Sequence, residues 1–474
     1  MTRVAVIGGG ISGLAAAWDL TRTHGVQVTL IESATRLGGK IATEEFAGTR
    51  LDTGPDAFLA RVPAAAALAR EAGLGDDLVA PGTGQAWLWR AGRLRPLPTG
   101  LVLGVPTHLG ALARSGVLPA GATARAAMDV VLPGSAIGPD EDIAVGALVR
   151  RRMGRRVQMG LVDPLLGGIN AGHTDHLSAA VAAPQLLVAA RRHPSLIRGL
   201  RMVQTTGTAG GAVVGGGPGE TGAGAPVFLT VRGGLSRLVD ALASGLADRG
   251  AEVVTGDGAA RLERTGGAWT VTLNGGRVVT VDAVVLSVPT GPAADLLRPL
   301  SPRAADDLEG IATASVALVL LAYRVPVGTR SLGGSGFLVP RAEGRLVTAA
   351  SWLGAKWPHL AAPGLLMVRA STGRVDDDRG ASMDDGNLGR AVHAELAQAM
   401  DLPAGPVETR VCRWPAAFPQ YEVGHLARID RVERRLDVDT PGVVLAGAAL
   451  RGVGIATCVT GGRAAAARVL NGRS

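Results

Sequence analysis

The chain has 474 residues, a net charge of +8 and only 3% aromatic residues. That length supports two or three domains with sizeable cores and favours an enzyme over a small binding module. Its basic residues are scattered and lack interleaved aromatics, which argues against a nucleic-acid surface and leaves an anionic small molecule or an anionic membrane face.

No charged region followed by an apolar one opens the chain, so a secretion signal is not expected. No apolar run reaches the ~18–20 residues of a membrane span. A cytoplasmic, soluble protein is the expectation, with at most peripheral membrane contact. The two cysteines, Cys412 and Cys458, give no disulfide framework and suit a reducing compartment.

The first elements read strand, Gly-rich turn, helix, strand. Val4–Ile7 is a continuous apolar run, as in a parallel strand covered on both faces. "GGGISG" follows, with Gly8, Gly10 and Gly13 in G-x-G-x-x-G spacing and Gly9, Ile11 and Ser12 between them. The first glycine permits the turn, the second lets backbone approach a pyrophosphate, and the third lets the helix pack closely. Glu32 ends the second strand, where a carboxylate accepts from ribose hydroxyls and disfavours a 2′-phosphate; FAD or NAD fits better than NADP. Behind it, with Ser33, comes "RLGGK", in which Arg36, Gly39 and Lys40 form a second phosphate-side device that points to FAD. Lys40 is one of only two lysines in the chain, Lys356 being the other. "DTGPDAF" then offers Gly54, Pro55, Asp56 and Ala57 along the ribityl chain.

From about Gly84 to Gln204 the pattern turns helical and irregular. Residues 207–226 are Gly-rich and read as a flexible loop, since a phosphate cradle would need a strand-to-helix frame. Strand, helix and strand resume from Phe228. Alternating and apolar strands fill 292–405, with one amphipathic helix near Gly389–Met400. The final stretch again reads strand, Gly-rich loop, helix. The expected layout is therefore an FAD-binding domain in three pieces (1–80, 227–291 and 406–474), a helical insertion at 81–206 facing a substrate channel or membrane, the loop 207–226, and a substrate-binding sheet domain at 292–405.

Within the helical part, "LVDPLLGGINAGHTDHLS" (161–178) invites a metal reading on His173, Asp175 and His176. A turn ending at a helix N-cap on Thr174 or Asp175 explains it better, and no metal is expected.

Taken together, "VIGGGISGLAAA", "RLGGKI", "GPDAF", "LVDPLLGGINAGHTDHLS", "TVRGGLSRLVDAL", "GSGFLVP", "AKWPH", "RWPAAFPQYEVGH" and "LAGAALRGVGIATC" resemble one family nearly end to end. It is the oxygen-dependent protoporphyrinogen/coproporphyrinogen oxidases of haem synthesis, within the flavin amine oxidase superfamily. The likeness is nearest to the bacterial coproporphyrin-forming coproporphyrinogen III oxidases. The resemblance implies an α/β fold with a discontinuous Rossmann-like FAD-binding domain and a mixed-sheet substrate domain, of the p-hydroxybenzoate-hydroxylase/amine-oxidase type. It implies non-covalent FAD, a porphyrinogen substrate, O2 as acceptor and H2O2 as product. To the flavin contacts named above it adds Ala259, Trp414, Gly447, Val453, Gly454 and Ile455. It places the Gly168 backbone carbonyl, with Gly167 and Asn170, against the macrocycle, and Arg61 against a propionate; Lys356 is a second cation candidate, Arg341 and Arg369 weaker ones. Where the family commonly has Pro-Asp after "GVGI", this chain has Ala456 and Thr457, so a helix-capping role would pass to Thr457.

A hand-off of product to a ferrochelatase and a monomeric or homodimeric state stay open at this stage. Rival readings are a protoporphyrinogen IX oxidase, a flavin amine oxidase, a carotenoid desaturase and a flavin-free escort protein. With Tyr323 and Tyr421 the only tyrosines, the aromatic cage of an amine oxidase is hard to build. The desaturase leaves "RWPAAFPQYEVGH" unexplained, and an intact Gly8/Gly10/Gly13/Glu32 set speaks against the escort.

Overall fold

The computed structural model describes residues 1–132, 134, 137–205, 213–214, 226–326 and 333–472. Apart from 213–214 and 226, the Gly-rich stretch 207–226 lies outside the described residues. The chain divides into two compact units, one formed by Met1–Val79, Phe228–Ala312 and Leu426–Ser474, the other by Ala80–Val227 and Thr313–His425.

The first unit is built on a five-stranded parallel sheet in the order Glu252–Thr255, Val26–Glu32, Thr2–Ile7, Ala283–Leu286, Val443–Leu445. Because side chains alternate along a strand, the central strand feeds two cores. Val4 and Val6 pack with the helices Ile11–Thr21, Ser236–Asp248 and Ile455–Asn471. Ala5 and Ile7 pack on the other face with Leu262, Trp269 and Val271 of a three-stranded antiparallel sheet and with Ile429 and Val432. Full burial of each such valine or isoleucine contributes about 1.5–3 kcal/mol, which is why the strand reads as an unbroken apolar run. The helices Thr290–Leu297 and Pro302–Glu309 also belong to this unit. Their Ala294, Leu297 and Leu308 enter the second core, so the sheet-rich segment starts at Thr313 and not at 292.

The second unit joins a helical core to a seven-stranded mixed sheet. Its longest ladder pairs Thr313–Arg324 with Glu408–Pro419, which carries 408–419 into this unit and not into the final FAD-binding piece. The insertion is not purely helical either. Trp87–Arg90 and Arg93–Pro96 form a hairpin on the edge of the same sheet, with Trp89 packed edge-on against Phe337. "AWLWRAGRLRPL" carries the alternating pattern and turn glycine of a hairpin, overlooked among its Pro- and Gly-rich neighbours.

Residues Gln158–Gly167 form a wide π-helical segment containing Pro164. Proline has no N–H to donate and its ring crowds the preceding turn, so regular α-helix cannot run through it; wide turns of this kind recur at functional sites. No helix among the described residues is long and apolar enough to cross a membrane.

Candidate active site

The first unit gathers most of the residues expected to cradle a dinucleotide. Gly8 has φ +107°, and a Cβ there would lie 2.4 Å from the Ser287 carbonyl oxygen, so only glycine makes this turn. A Cβ on Gly13 would lie 1.9 Å from the Gly8 carbonyl oxygen; the third glycine sets how closely helix Ile11–Thr21 sits on the strand. At Gly10 nothing lies within 4 Å of a Cβ position, which leaves that backbone open to a phosphate.

Helices Ile11–Thr21 and Ile455–Asn471 begin side by side. The Cys458 thiol donates to the Gly452 and Val453 carbonyls at 3.7 and 3.8 Å, and a Cβ on Gly462 would lie 2.1 Å from the Ser12 carbonyl oxygen. Neither helix has a side-chain N-cap or an acidic residue in its first turn. Their first-turn N–H groups and positive dipole ends suit an anion. Gly454 is the N-cap of the second helix, preceded by Val453 and followed by Ile455. The expected cap on Thr457 is not made: its methyl group instead lies 3.2 Å from the Cβ position of Gly452, itself at φ +142°. Gly447, at φ +131°, opens the turn leading there from the last strand.

Glu32 Oε2 accepts from the Gly9 N–H at 2.7 Å and Oε1 from the Ala34 N–H at 2.8 Å. A carboxylate offers about four lone-pair positions, so capacity for ribose hydroxyls remains. Ser33 lies beside the loop that leads to Ala259: the Gly256 N–H donates to the Ala34 carbonyl at 2.8 Å, and a Cβ on Gly258 would lie 2.8 Å from the Ser33 Cβ. Arg36 turns inward on its own loop, donating to the carbonyls of Leu37, Gly39 and Ile41 at 2.8–3.2 Å. Its guanidinium therefore braces the loop beside the cradle. A Cβ on Gly39, at φ +55°, would lie 3.2 Å from the Gly10 Cα, so this loop presses on the cradle.

Burial holds the Lys40 ammonium below its ordinary pKa, with the Cys458 thiol nearby. Burial likewise pushes the Cys458 thiol up, against the opposing effects of Ser12 and Lys40. The neutral thiol is poorly nucleophilic. Cys458 is therefore expected to resist iodoacetamide at pH 8 in the folded protein and to react after denaturation; rapid labelling of the native protein, read by peptide mass, would contradict this environment.

Gly54 is buried, and Pro55, Asp56 and Ala57 are half-buried beyond the strand Thr49–Asp52. Asp52 fixes that end by accepting from the Thr43 hydroxyl at 2.6 Å and the Leu235 N–H at 2.9 Å. Arg61 is half-buried, its pKa lowered by burial, and its Nη1 is buried with no hydrogen-bond partner among the described residues. Such a donor calls for an acceptor beyond the described residues. Ser287 Oγ is in the same position and had escaped notice in the sequence. It directly follows the apolar strand Ala283–Leu286, at the carboxyl end of a parallel strand, where α/β sheets bind ligands.

In the second unit, Gly167 is buried, whereas Gly168 and Ile169 are exposed, Ile169 to 48%. Gly168 has helical φ −62° and ψ −46°, and nothing lies within 4 Å of its Cβ position. Asn170 is buried, and its amide donates to the Leu166 carbonyl at 2.8 Å, so its side chain serves the local turn. Lys356 places its ammonium 5.4 Å from the Trp357 ring centroid at the end of a short helix. Trp414 sits half-buried on the strand Glu408–Pro419, opposite Val316. Arg341 is engaged with protein groups, donating to the Gly172 carbonyl and pairing with Asp376.

The HTDH segment is held differently from the expectation. Thr174 is buried and bonded to Asp163, Asp175 pairs with Arg150, and Ser178 caps the next helix by accepting from the Val181 N–H. No group of three or more His, Cys, Asp or Glu among the described residues could hold a metal ion.

The donor set of the first unit fits FAD. The Gly10 backbone is open enough to admit a pyrophosphate, the two uncapped helix N-termini would suit anionic groups, Glu32 keeps acceptor capacity for ribose hydroxyls, and the Ser287 hydroxyl has no partner among the described residues.

The family of flavin-containing amine oxidoreductases matches residues 11–470. The chain is 34% identical to the coproporphyrinogen III oxidase of Bacillus subtilis, over 98% of this chain and 97% of that one. It is 29% identical to the protoporphyrinogen oxidase of Bos taurus, over 98% of each. Among solved structures, a protein of Exiguobacterium sp. 255-15 assigned as a protoporphyrinogen oxidase superposes with a TM-score of 0.86 at 30% identity, covering 99% of this chain and 98% of that one. The cyclohexylamine oxidase of Brevibacterium oxydans shares the fold alone, at a TM-score of 0.68 and 18% identity over 99% of each chain. The chain belongs to the flavin-containing amine oxidoreductase family, and its cofactor is FAD.

Proposed function

We propose that this chain is an oxidase that removes six electrons from coproporphyrinogen III to give coproporphyrin III, with O2 reduced to H2O2, in haem synthesis. The observation that carries the reading is the end-to-end likeness to coproporphyrinogen III oxidases, 34% identical over 98–99% of this chain in two cases. FAD, when bound, supplies the two-electron oxidation and passes the electrons to O2. The chain's own groups bind and orient. The open Gly10 backbone and the N-terminus of helix Ile11–Thr21 would hold the pyrophosphate, and Glu32 would receive the ribose. In the second unit the exposed Gly168 lets a flat macrocycle approach the backbone, where its carbonyl accepts from pyrrole N–H groups and favours their loss as protons.

Arg61 takes a propionate carboxylate, which satisfies its buried Nη1. A hydrogen bond between charged groups contributes ~1.5–3 kcal/mol, about 10- to 100-fold in affinity. Arg61→Ala is expected to raise KM in that range while changing kcat less, as loss of uniform binding does. An unchanged KM would remove Arg61 from this role.

Protoporphyrinogen IX is the second reading, favoured by the bovine relative. Anaerobically prepared coproporphyrinogen III and protoporphyrinogen IX, followed by porphyrin fluorescence, separate the two. A higher kcat/KM for coproporphyrinogen III is expected; preference for protoporphyrinogen IX would overturn the substrate assignment.

A further inference from the structure

The turn that carries Gly168 is clamped from several directions. The Leu166 carbonyl accepts from Asn170 Nδ2 at 2.8 Å, Gly167 from the Gly172 N–H at 2.9 Å, Asn170 from Gln420 Nε2 at 3.1 Å, Ala171 from the Val375 N–H at 2.8 Å and Gly172 from Arg341 Nη2 at 2.9 Å. The Gly168 carbonyl meets the Ala171 N–H at 3.4 Å. Of these carbonyls it makes the longest bond, and its residue is exposed.

Beneath the turn lies Asp163, 2% exposed, on the π-helical segment. Its Oδ1 accepts from both the backbone N–H and the hydroxyl of Thr174, at 3.1 and 2.8 Å. Its Oδ2 faces Arg341 Nε at 3.6 Å, and that nitrogen is buried with no hydrogen-bond partner among the described residues. A Cβ on Gly167 would lie 3.2 Å from Asp163 Oδ1. One carboxylate thus holds the start of the 174–178 segment while facing the arginine that holds the end of the glycine turn. Burying this charge costs free energy unless it is paired, and it is paired across the turn.

We propose that Asp163 and Arg341 are positioning residues that fix the Gly167–Gly172 turn so that the Gly168 carbonyl is presented to the substrate. This rests on the porphyrinogen reading of Gly168. Neither side chain touches the substrate; both act through the backbone they hold, and a carbonyl displaced by about 1 Å loses up to about 100-fold in rate.

The test uses the FAD-loaded full chain and follows the two half-reactions separately. Flavin bleaching on anaerobic mixing with coproporphyrinogen III reports substrate oxidation; the return of absorbance on mixing dithionite-reduced protein with O2 reports reoxidation. Asp163→Asn keeps the acceptor for Thr174 and removes the charge. It is expected to slow bleaching about tenfold or more while leaving reoxidation within about twofold. Arg341→Lys keeps a charge but loses the fork that bonds Gly172. It is expected to slow bleaching in the same sense, and the double variant to be no slower than the worse single variant, because the residues act as one clamp.

Bleaching within twofold of the parent in both single variants, equal losses in the two half-reactions, or additive losses in the double variant would each overturn the proposal. Should Asp163→Asn fail to fold, Arg341→Lys alone decides it by the first two criteria. Absence of bleaching in the parent protein would instead overturn the porphyrinogen reading.

Discussion

Gly10→Ala is expected to give a folded protein with reduced flavin content. No atom of the described residues lies within 4 Å of the Cβ position, so the substitution disturbs no packing there. The same openness is what a pyrophosphate needs, and a methyl group there stands where it would approach the backbone. Overpacking of this kind costs roughly 1–3 kcal/mol, about 10- to 100-fold in Kd for FAD. Gly13→Ala provides the contrast, since its Cβ would meet the Gly8 carbonyl at 1.9 Å. That contact lies inside the fold, and packing of helix Ile11–Thr21 against Gly462 leaves it no room to retreat. Both variants should lose flavin, but only Gly13→Ala should lose thermal stability. Absorbance near 450 nm per unit protein, with Tm measured on the FAD-free forms, checks the pair. Full flavin retention in Gly10→Ala would mean that the pyrophosphate does not cross this turn.

Gly168→Ala should leave the fold intact, or slightly more stable, and lose turnover. Its φ and ψ are helical and its surroundings open, so alanine stabilises by about 0.4–1 kcal/mol through the unfolded chain. The added methyl group stands on the exposed edge of the turn, between the backbone and a ring that must lie against it. A loss in kcat/KM of about 10- to 100-fold is expected, given how steeply rate depends on reacting geometry. Wild-type turnover with a raised Tm would remove Gly168 from the substrate face.

The cofactor half of the site was legible because its demands are local. Three glycines, one carboxylate and the flanking strand and helix are contiguous in sequence, and Gly8, Gly10 and Gly13 each meet the steric condition their spacing implies. What escaped was set by tertiary contact. The bracing of the Arg36 loop by its own guanidinium, through the Gly39 and Ile41 carbonyls, has no signal in the sequence. Thr174 and Asp175 have the composition of a cap, yet Asp163 and Arg150 claim them and the cap passes to Ser178. Ser287 becomes visible only when its strand is placed beside the first one, and Arg341, read from the sequence as a weak cation candidate, shows its pairing with Asp163 only in the fold. The helix His425–Asp439 was missed because its apolar positions, Ile429, Val432 and Leu436, are sparse among many charges. Segment boundaries at 292 and 406 failed for one reason: a composition change marks where local pattern shifts, whereas a unit ends where packing partners change.

The central claim is that this chain oxidises a porphyrinogen through its flavin, and one stoichiometric measurement addresses it most directly. FAD-loaded protein is mixed with a limiting amount of coproporphyrinogen III in air-saturated buffer with catalase excluded, and coproporphyrin and H2O2 are quantified together. Six electrons leave in three two-electron steps, so three molecules of H2O2 per coproporphyrin III are predicted. Coproporphyrin formed no faster than in a protein-free control, or formed without H2O2, would contradict the account.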